Sequence, residues 1–497
     1  MKQSYKKTAI DTLVNGGAQL LLISLTFIRL PVLTKNLSIQ DYGLWGLIFT
    51  TCSLALPFTS LGLGPAMSRY LPGEKDKSRV QEGFYSVLSF RMLISFTLAA
   101  GIYLFASQIA EMFFDGNDGI VQITSLFIIL TTLHAIYRRL LRIMRKIKVL
   151  SIISILEGYS AVGIYAILLF SGHGLKSIVL ALLVIKVGVI SYLIFYTTPH
   201  IGFRVPRFTE IGEYLRYGIP TLPASMSFWL VNITDRYIIA FLLSTSSVGA
   251  YSAAYAIGNI PHLLSGLINF IMMVALSELY DSGKIREVQN HLSYSLKYFL
   301  ALSIPFFFGS LVYSEEVLIV LTTQEIAEQA GFITPIVSLA HIILGVYSVL
   351  TYILLLKKKT KILPMIWLIS LSLNLGLNFF LIPRIGPVGA AIATLVAYTF
   401  SLIAVVFFSL KELTFPANWR FIAKSIFASG VMSLGIVLLP SGGYAWTFTT
   451  IFLSIGVYSF LMITLKGFNK NEYDLFANIL KGFFKKTELR NNENGDS

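Results

Sequence analysis

The chain is a succession of apolar runs, each about as long as a bilayer-crossing helix, joined by short polar segments. A helix needs ~20 apolar residues to cross the hydrocarbon core. Only helices and closed barrels satisfy their own backbone there. Fourteen runs reach that length: about 9–34, 42–64, 84–107, 119–141, 149–171, 176–198, 212–242, 248–276, 290–313, 328–356, 362–383, 387–410, 419–439 and 444–465. The seventh holds Pro220 and Pro223, which predicts a kink or an interfacial turn. Composition agrees, because 55% of the 497 residues are hydrophobic and 13% charged, about half the ~25% charge of a soluble domain. An ordinary soluble enzyme is excluded. The expectation is an all-α integral membrane protein of about 14 transmembrane helices.

The connecting segments set its orientation. With the N-terminus in the cytoplasm, thirty Lys and Arg fall on the cytoplasmic side, including the Arg138–Lys148 and Lys357–Lys361 clumps. The opposite side holds three, Lys35, Lys176 and Arg384, and collects acids such as Asp41, Asp115, Glu315 and Glu325. Such an excess is what the positive-inside rule produces, and one misplaced span would scramble it. Both termini are therefore expected in the cytoplasm and the protein in the cell membrane. No cleavage site separates Met1–Lys7 from the first run, which reads as a span rather than a removed signal peptide.

An internal repeat organises the runs. Leu37-Ser38-Ile39-Gln40-Asp41-Tyr42-Gly43 returns loosely as Leu243-Ser244-Thr245-Ser246-Ser247-Val248-Gly249, an offset of 206. Six spans separate the copies, so both run the same way through the membrane. The division is a six-helix bundle over 1–205, a second over 206–412, two added helices over 413–466 and a cytoplasmic tail over 467–497.

The offset also carries polar residues. Asp11, Asn15, Gln19, Thr26 and Arg29 fall within about 80° of helical arc in the first span. Adding 206 to Asn15, Gln19 and Thr26 gives Thr221, Ser225 and Asn232, again one stripe. Arg29 maps onto Asp235, beside Arg236, and Arg91 maps onto Lys297. A charge at the bilayer centre costs ~2.5–3.5 kcal/mol, so such residues face a cavity or a partner. Arg29, Arg91, Arg236, Lys297 and Lys186 are thus candidates for a cationic cavity, lined by the polar stripes. Asp235 and Glu157 are candidates for ion or proton coupling. The plainer alternatives are snorkelling for the cations and local pairing for the acids. His134 and His341 read as polar packing, and Asn374 with Asn378 as interhelical glue or ligand contacts.

Chemistry is otherwise sparse. A single cysteine, Cys52, excludes a disulfide framework or cysteine metal cluster. No Walker-type G-x-x-x-x-G-K-[ST], H-E-x-x-H or G-x-S-x-G occurs. The net charge of +14 lies in short clumps between apolar runs, which argues against nucleic acid. No enzyme activity, cofactor or metal is expected.

Three stretches carry a family likeness: Leu30-Pro-Val-Leu-Thr-Lys-Asn-Leu-Ser-Ile-Gln-Asp-Tyr-Gly43 with Leu61-Gly-Leu-Gly-Pro-Ala-Met-Ser-Arg-Tyr70; Asp235-Arg-Tyr-Ile-Ile-Ala-Phe-Leu-Leu with Val248-Gly-Ala-Tyr-Ser-Ala-Ala-Tyr-Ala-Ile257; and Ile382-Pro-Arg-Ile-Gly-Pro-Val-Gly-Ala-Ala-Ile-Ala-Thr394. They resemble the polysaccharide-biosynthesis flippases of the multidrug/oligosaccharidyl-lipid/polysaccharide exporter superfamily. The resemblance implies a V-shaped pair of bundles with a central cationic cavity. It also implies a prenyl-pyrophosphate-linked oligosaccharide (undecaprenyl or dolichyl) as cargo, moved to the outer leaflet by alternating access. Membrane lipid, a polysaccharide polymerase and glycosyltransferases are the implied partners. A cation-coupled multidrug antiporter, a murein-precursor flippase of the same fold and a non-transporting scaffold are the rival readings. The scarcity of intramembrane acids speaks against the antiporter, and repeated buried charge against the scaffold.

Overall fold

The computed structural model describes residues 2–72, 74, 76–439, 442–469 and 472, with side chains from Gly16 onward except at 224, 267, 270, 271 and 273–275. The first half runs through α1 (Lys2–Thr34), α2 (Ile39–Ser60), α3 (Leu63–Tyr70), α4 (Lys77–Leu104), α5 (Ala106–Phe113), α6 (Asp118–Ile143), α7 (Ile147–Phe170) and α8 (Leu175–Ile201). A strap leads to α9 (Ile211–Gly218), and a 3-10 turn, Ile219–Thr221, opens the second half. There follow α10 (Leu222–Leu242), α11 (Thr245–Gly258), α12 (Ile260–Asp281), α13 (Ile285–Leu321), α14 (Gln324–Ala330), α15 (Ile333–Leu356), α16 (Ile362–Ile385) and α17 (Pro387–Leu410). The last pair is α18 (Trp419–Val437) and α19 (Tyr444–Thr464).

Among the described residues twelve helices are long and apolar enough to cross a membrane. The seventh and eighth runs are not among the twelve. The seventh breaks around Pro220, and its main helix, α10, holds Asn232, Asp235 and Arg236 within 21 residues. The eighth divides at Asn259, where Pro261 starts α12 and leaves α11 14 residues long; α12 itself has 22 residues and lies partly outside the described side chains. Elsewhere helices outrun their apolar cores. Thus α13 has 37 residues, ~55 Å of helix, against a ~30 Å hydrocarbon core.

The two halves are built alike. In the first, α1 packs on α7, α4 on α6, α6 on α8, α7 on α8 and α2 on α6. In the second, α10 packs on α16, α13 on α15, α15 on α17, α16 on α17 and α11 on α15. Each partner is the counterpart of the one before. The added pair breaks this symmetry, because α18 lies on α13 and α19 on α18.

The repeated heptapeptide sits where the halves meet. Ser38 and Ser244 cap α2 and α11, accepting from the amides of Asp41 and Ser247. Behind the caps the helices touch backbone to backbone. A Cβ on Gly43 would fall on the Thr245 carbonyl, and one on Gly249 on the Ile39 carbonyl. Farther along, Gly46 faces Ser252. At the opposite, basic end α9 packs onto the first half. Gly62, in the left-handed region at φ 72°, abuts Gly218, while Tyr70 stacks on Tyr214 at 5.1 Å. The two halves meet along the contact of α2 with α11.

The strap before α9 is pinned to α4. Gln81 and Tyr85 donate to the carbonyls of Ile201 and Gly202, and Arg204 donates to Ser78. Buried Glu82 accepts from the amides of Arg207 and Thr209.

Candidate translocation pathway

Beside the contact of α2 with α11 lie cations that make no ion pair among the described residues. Arg236, on α10, donates to the Asn232 carbonyl and lies over the rings of Tyr255 (4.7 Å) and Tyr251 (5.7 Å), both on α11. Arg29, on α1, is exposed, and Tyr42 of α2 lies within electrostatic reach of both Arg29 and Arg236. Deeper toward the basic end, Arg91 is buried between α4 and α2, its Nε 3.3 Å from the Thr59 carbonyl, with Arg139 near enough to repel it. Among the described residues none of Arg29, Arg91 and Arg236 makes an ion pair. A guanidinium held so in low dielectric attracts any anion that can reach it.

Next to Arg236, Asp235 is fully buried among neutral donors. Its carboxylate accepts from Tyr251 Oη (2.7 Å), Thr394 Oγ1 (2.8 Å) and Asn378 Nδ2 (2.9 Å), joining α10, α11, α16 and α17. Asn378 also donates to Asn374, which donates to Thr394. Asn378 Oδ1 is buried with no donor among the described residues. A buried carboxylate held only by neutral donors, with an idle amide acceptor beside it, is a group that a proton or a small cation could meet.

The remaining candidates are spread out. Lys186 does not stand free: its ammonium lies 2.7 Å from Glu157, whose other oxygen faces His134 (3.2 Å) and Arg138 (3.6 Å). One carboxylate thus ties α6, α7 and α8 together. Lys297 is 5% exposed and bonded to both oxygens of Glu472 (2.8 and 2.7 Å), between Phe421 and Phe468. It is sealed under the segment after α19, and the repeat-related pair Arg91 and Lys297 occupies two unlike surroundings.

Of the polar stripes, Gln19 and Ser225 are exposed and Thr26 and Thr221 half-buried. Ser225 and Thr221 bond back to their own helix turns, whereas Asn232 accepts from Tyr398 Oη at 2.6 Å. Asn15 lies in α1 outside the described side chains. Sequence reasoning missed Tyr251, Thr394, Tyr398, Arg138 and Glu472. The first three are ordinary core-type residues with no local signal, and Arg138 reads only as one more loop cation.

Comparison with known proteins fits this architecture. Residues 32–331 match the family described as polysaccharide biosynthesis protein. The "Probable low-salt glycan biosynthesis flippase Agl15" of Haloferax volcanii is 25% identical over 263 residues, 52% of this chain and 55% of that protein. The "Probable flippase AglR" of the same organism is 30% identical over 263 residues, 52% of this chain and 51% of that one. The chain spans about half the length of these curated relatives. Among solved structures, lipid II flippase MurJ in an inward closed conformation superposes with a TM-score of 0.74 at 19% identity, covering 92% of this chain and 99% of that one. An inward-facing multidrug resistance MATE family transporter of the MOP superfamily gives 0.64 at 12% identity, covering 80% and 97%. At those identities the likeness is one of fold, that of the multidrug/oligosaccharidyl-lipid/polysaccharide exporters. Within that fold, the match over residues 32–331 makes this chain a member of the polysaccharide biosynthesis protein family.

Proposed function

We propose that the chain is a flippase for a prenyl-pyrophosphate-linked oligosaccharide, moved from the cytoplasmic to the outer leaflet during surface glycan assembly. The observation that carries this reading is a set of guanidiniums without an ion pair among the described residues: Arg29 and Arg236, both within reach of Tyr42 beside the contact of the two halves, and Arg91 buried deeper in the first half. A pyrophosphate and its sugars are too polar to cross lipid unaided, and an arginine route offers them charge-assisted hydrogen bonds. The prenyl tail stays in lipid. The reading includes fourteen crossings with both termini cytoplasmic, bundles over 1–205 and 206–412, and α18–α19 as an accessory pair. Gln19, Thr26, Thr221, Ser225 and Asn232, with Asn15, form the polar wall.

Alternating access would open the contact of α2 with α11 while the halves close at the basic end, and the reverse. Asp235 is the proposed coupling site, taking a proton or a monovalent cation as the second half rocks. Glu157, already met by Lys186 and Arg138, has a holding role in this scheme. No step requires bond chemistry by the protein.

Purified protein in liposomes tests the proposal. It should speed transfer of such a lipid between leaflets, and Arg29→Ala or Arg236→Ala should slow it. Equal transfer of uncharged prenyl alcohols would sink the cationic route. Transport of cationic dyes without any glycan lipid would favour antiport instead.

A further inference from the structure

A groove of about 370 Å³ runs between α7 and α8, on the flank of the first half rather than at the seam. Val149, Ile152, Leu156 and Ser160 line it on α7, and Gly188 and Tyr192 on α8, with Glu157 in its inner wall. These α7 positions recur every three or four residues, so one helix face forms one wall. Residues 149 to 160 span ~16 Å of helix, the depth of one leaflet of a ~30 Å hydrocarbon core. The rim is apolar: Ile152, Leu156, Val184 and Phe195 are all more than half exposed. A Cβ on Gly188 would meet nothing within 4 Å, so the glycine keeps the groove wide.

The end nearest Val149 is cationic and aromatic. Lys148, exposed, precedes Ile152 by one turn on the same face, and the exposed Arg145 and Arg142 lie just before it. On α8 the aromatic wall continues the same way, Tyr192 stacking on Tyr196 and Tyr196 on His200. Phenol rings and basic side chains at that depth suit the headgroup layer of a leaflet with anionic lipid.

We propose that this groove is a binding site for an anionic phospholipid, its acyl chain along α7 from Val149 to Ser160 and its phosphate at Lys148. The length argues for an ordinary acyl chain, since a long prenyl tail would overrun a slot one leaflet deep. Through Glu157 the bound chain rests against the carboxylate that ties α6, α7 and α8, so the lipid stiffens the first half as a unit. The site does not depend on what the cargo is.

The test uses the full chain in phosphatidylcholine vesicles doped with phosphatidylglycerol bearing a mid-chain diazirine. After irradiation, peptides containing Ile152, Leu156 and Tyr192 should carry the label. Gly188→Leu, whose Cβ would meet nothing within 4 Å, should fill the slot and cut labelling severalfold at an unchanged size-exclusion profile. Lys148→Gln should lower it about fivefold, the loss of one interfacial cation, and a choline-headed probe should label as weakly as that variant. Equal labelling by both headgroups, or none lost in Gly188→Leu, would overturn the proposal. Stronger labelling of the same peptides by a photoactive polyprenyl phosphate would overturn it too, and give the groove to the cargo's tail.

Discussion

Replacing Gly249 by Ala should open the acidic end of the seam without unfolding the protein. The added methyl would fall on the carbonyl of Ile39, a backbone atom fixed in the first turn of α2. No side chain can swing aside to make room. Overpacking of this kind costs ~1–3 kcal/mol, and here only the state with the end closed bears it. The open-to-closed ratio should therefore rise roughly 5- to 150-fold. Ser252→Cys, a nearly buried position facing Gly46, reports the change. Its reaction with an impermeant maleimide should accelerate by that factor in Gly249→Ala, over a low background because the native Cys52 is buried. The mirror change Gly43→Ala, against Thr245, should do the same. An unchanged labelling rate in either variant, at full folded yield, would refute a seam held by backbone contact and with it the gating scheme.

Arg91→Glu should abolish cargo transfer in liposomes at normal protein level, while Arg91→Lys keeps a measurable rate; wild-type transfer in Arg91→Glu would remove Arg91 from the route. Glu157→Gln leaves Lys186 and Arg138 facing a neutral amide, and thermal unfolding in detergent should show a loss of ~3–5 kcal/mol, largely recovered in a Glu157→Gln, Lys186→Met double variant. Glu472→Ala strands Lys297, 5% exposed, so a similar loss is expected, together with faster proteolysis after Phe468; unchanged stability would mean the ion pair contributes nothing.

How much of this was legible in the sequence depended on the range of the signal. Apolar runs of ~20 residues announce spans locally, and Pro220 announced the break before α10. The repeat was legible as well, because Gly43 and Gly249 answer the same steric demand. Rotation of a helix about its axis is not a local property, so the partners of buried charges were hidden. His134, Glu157 and Lys186 each stood out singly, yet nothing in the spacing said that one carboxylate would meet the other two. Asp235 draws its donors from positions 251, 378 and 394, on three other helices. The offset of 206 puts Arg91 on α4 and Lys297 on α13, but in unlike surroundings. The reason is the added pair: α18 covers α13 and brings Phe421 onto Lys297, whereas Arg91 meets the end of α2.

The pinned strap has a mechanical consequence. Where a loose tether would let the second half drift, Glu82, Gln81, Tyr85 and Arg204 make residues 201–209 an outrigger of α4. Helix α9, lying on α3, extends that outrigger along the first half. The first free joint is then Gly218–Pro223, where two prolines withhold backbone donors and a 3-10 turn replaces a helical one. In the proposed rocking, the second half would turn on that short elbow, beside the Gly62 contact. A swing from an elbow so placed would grow with height, so its widest excursion would fall at the far end, at the contact of Gly43 and Gly249.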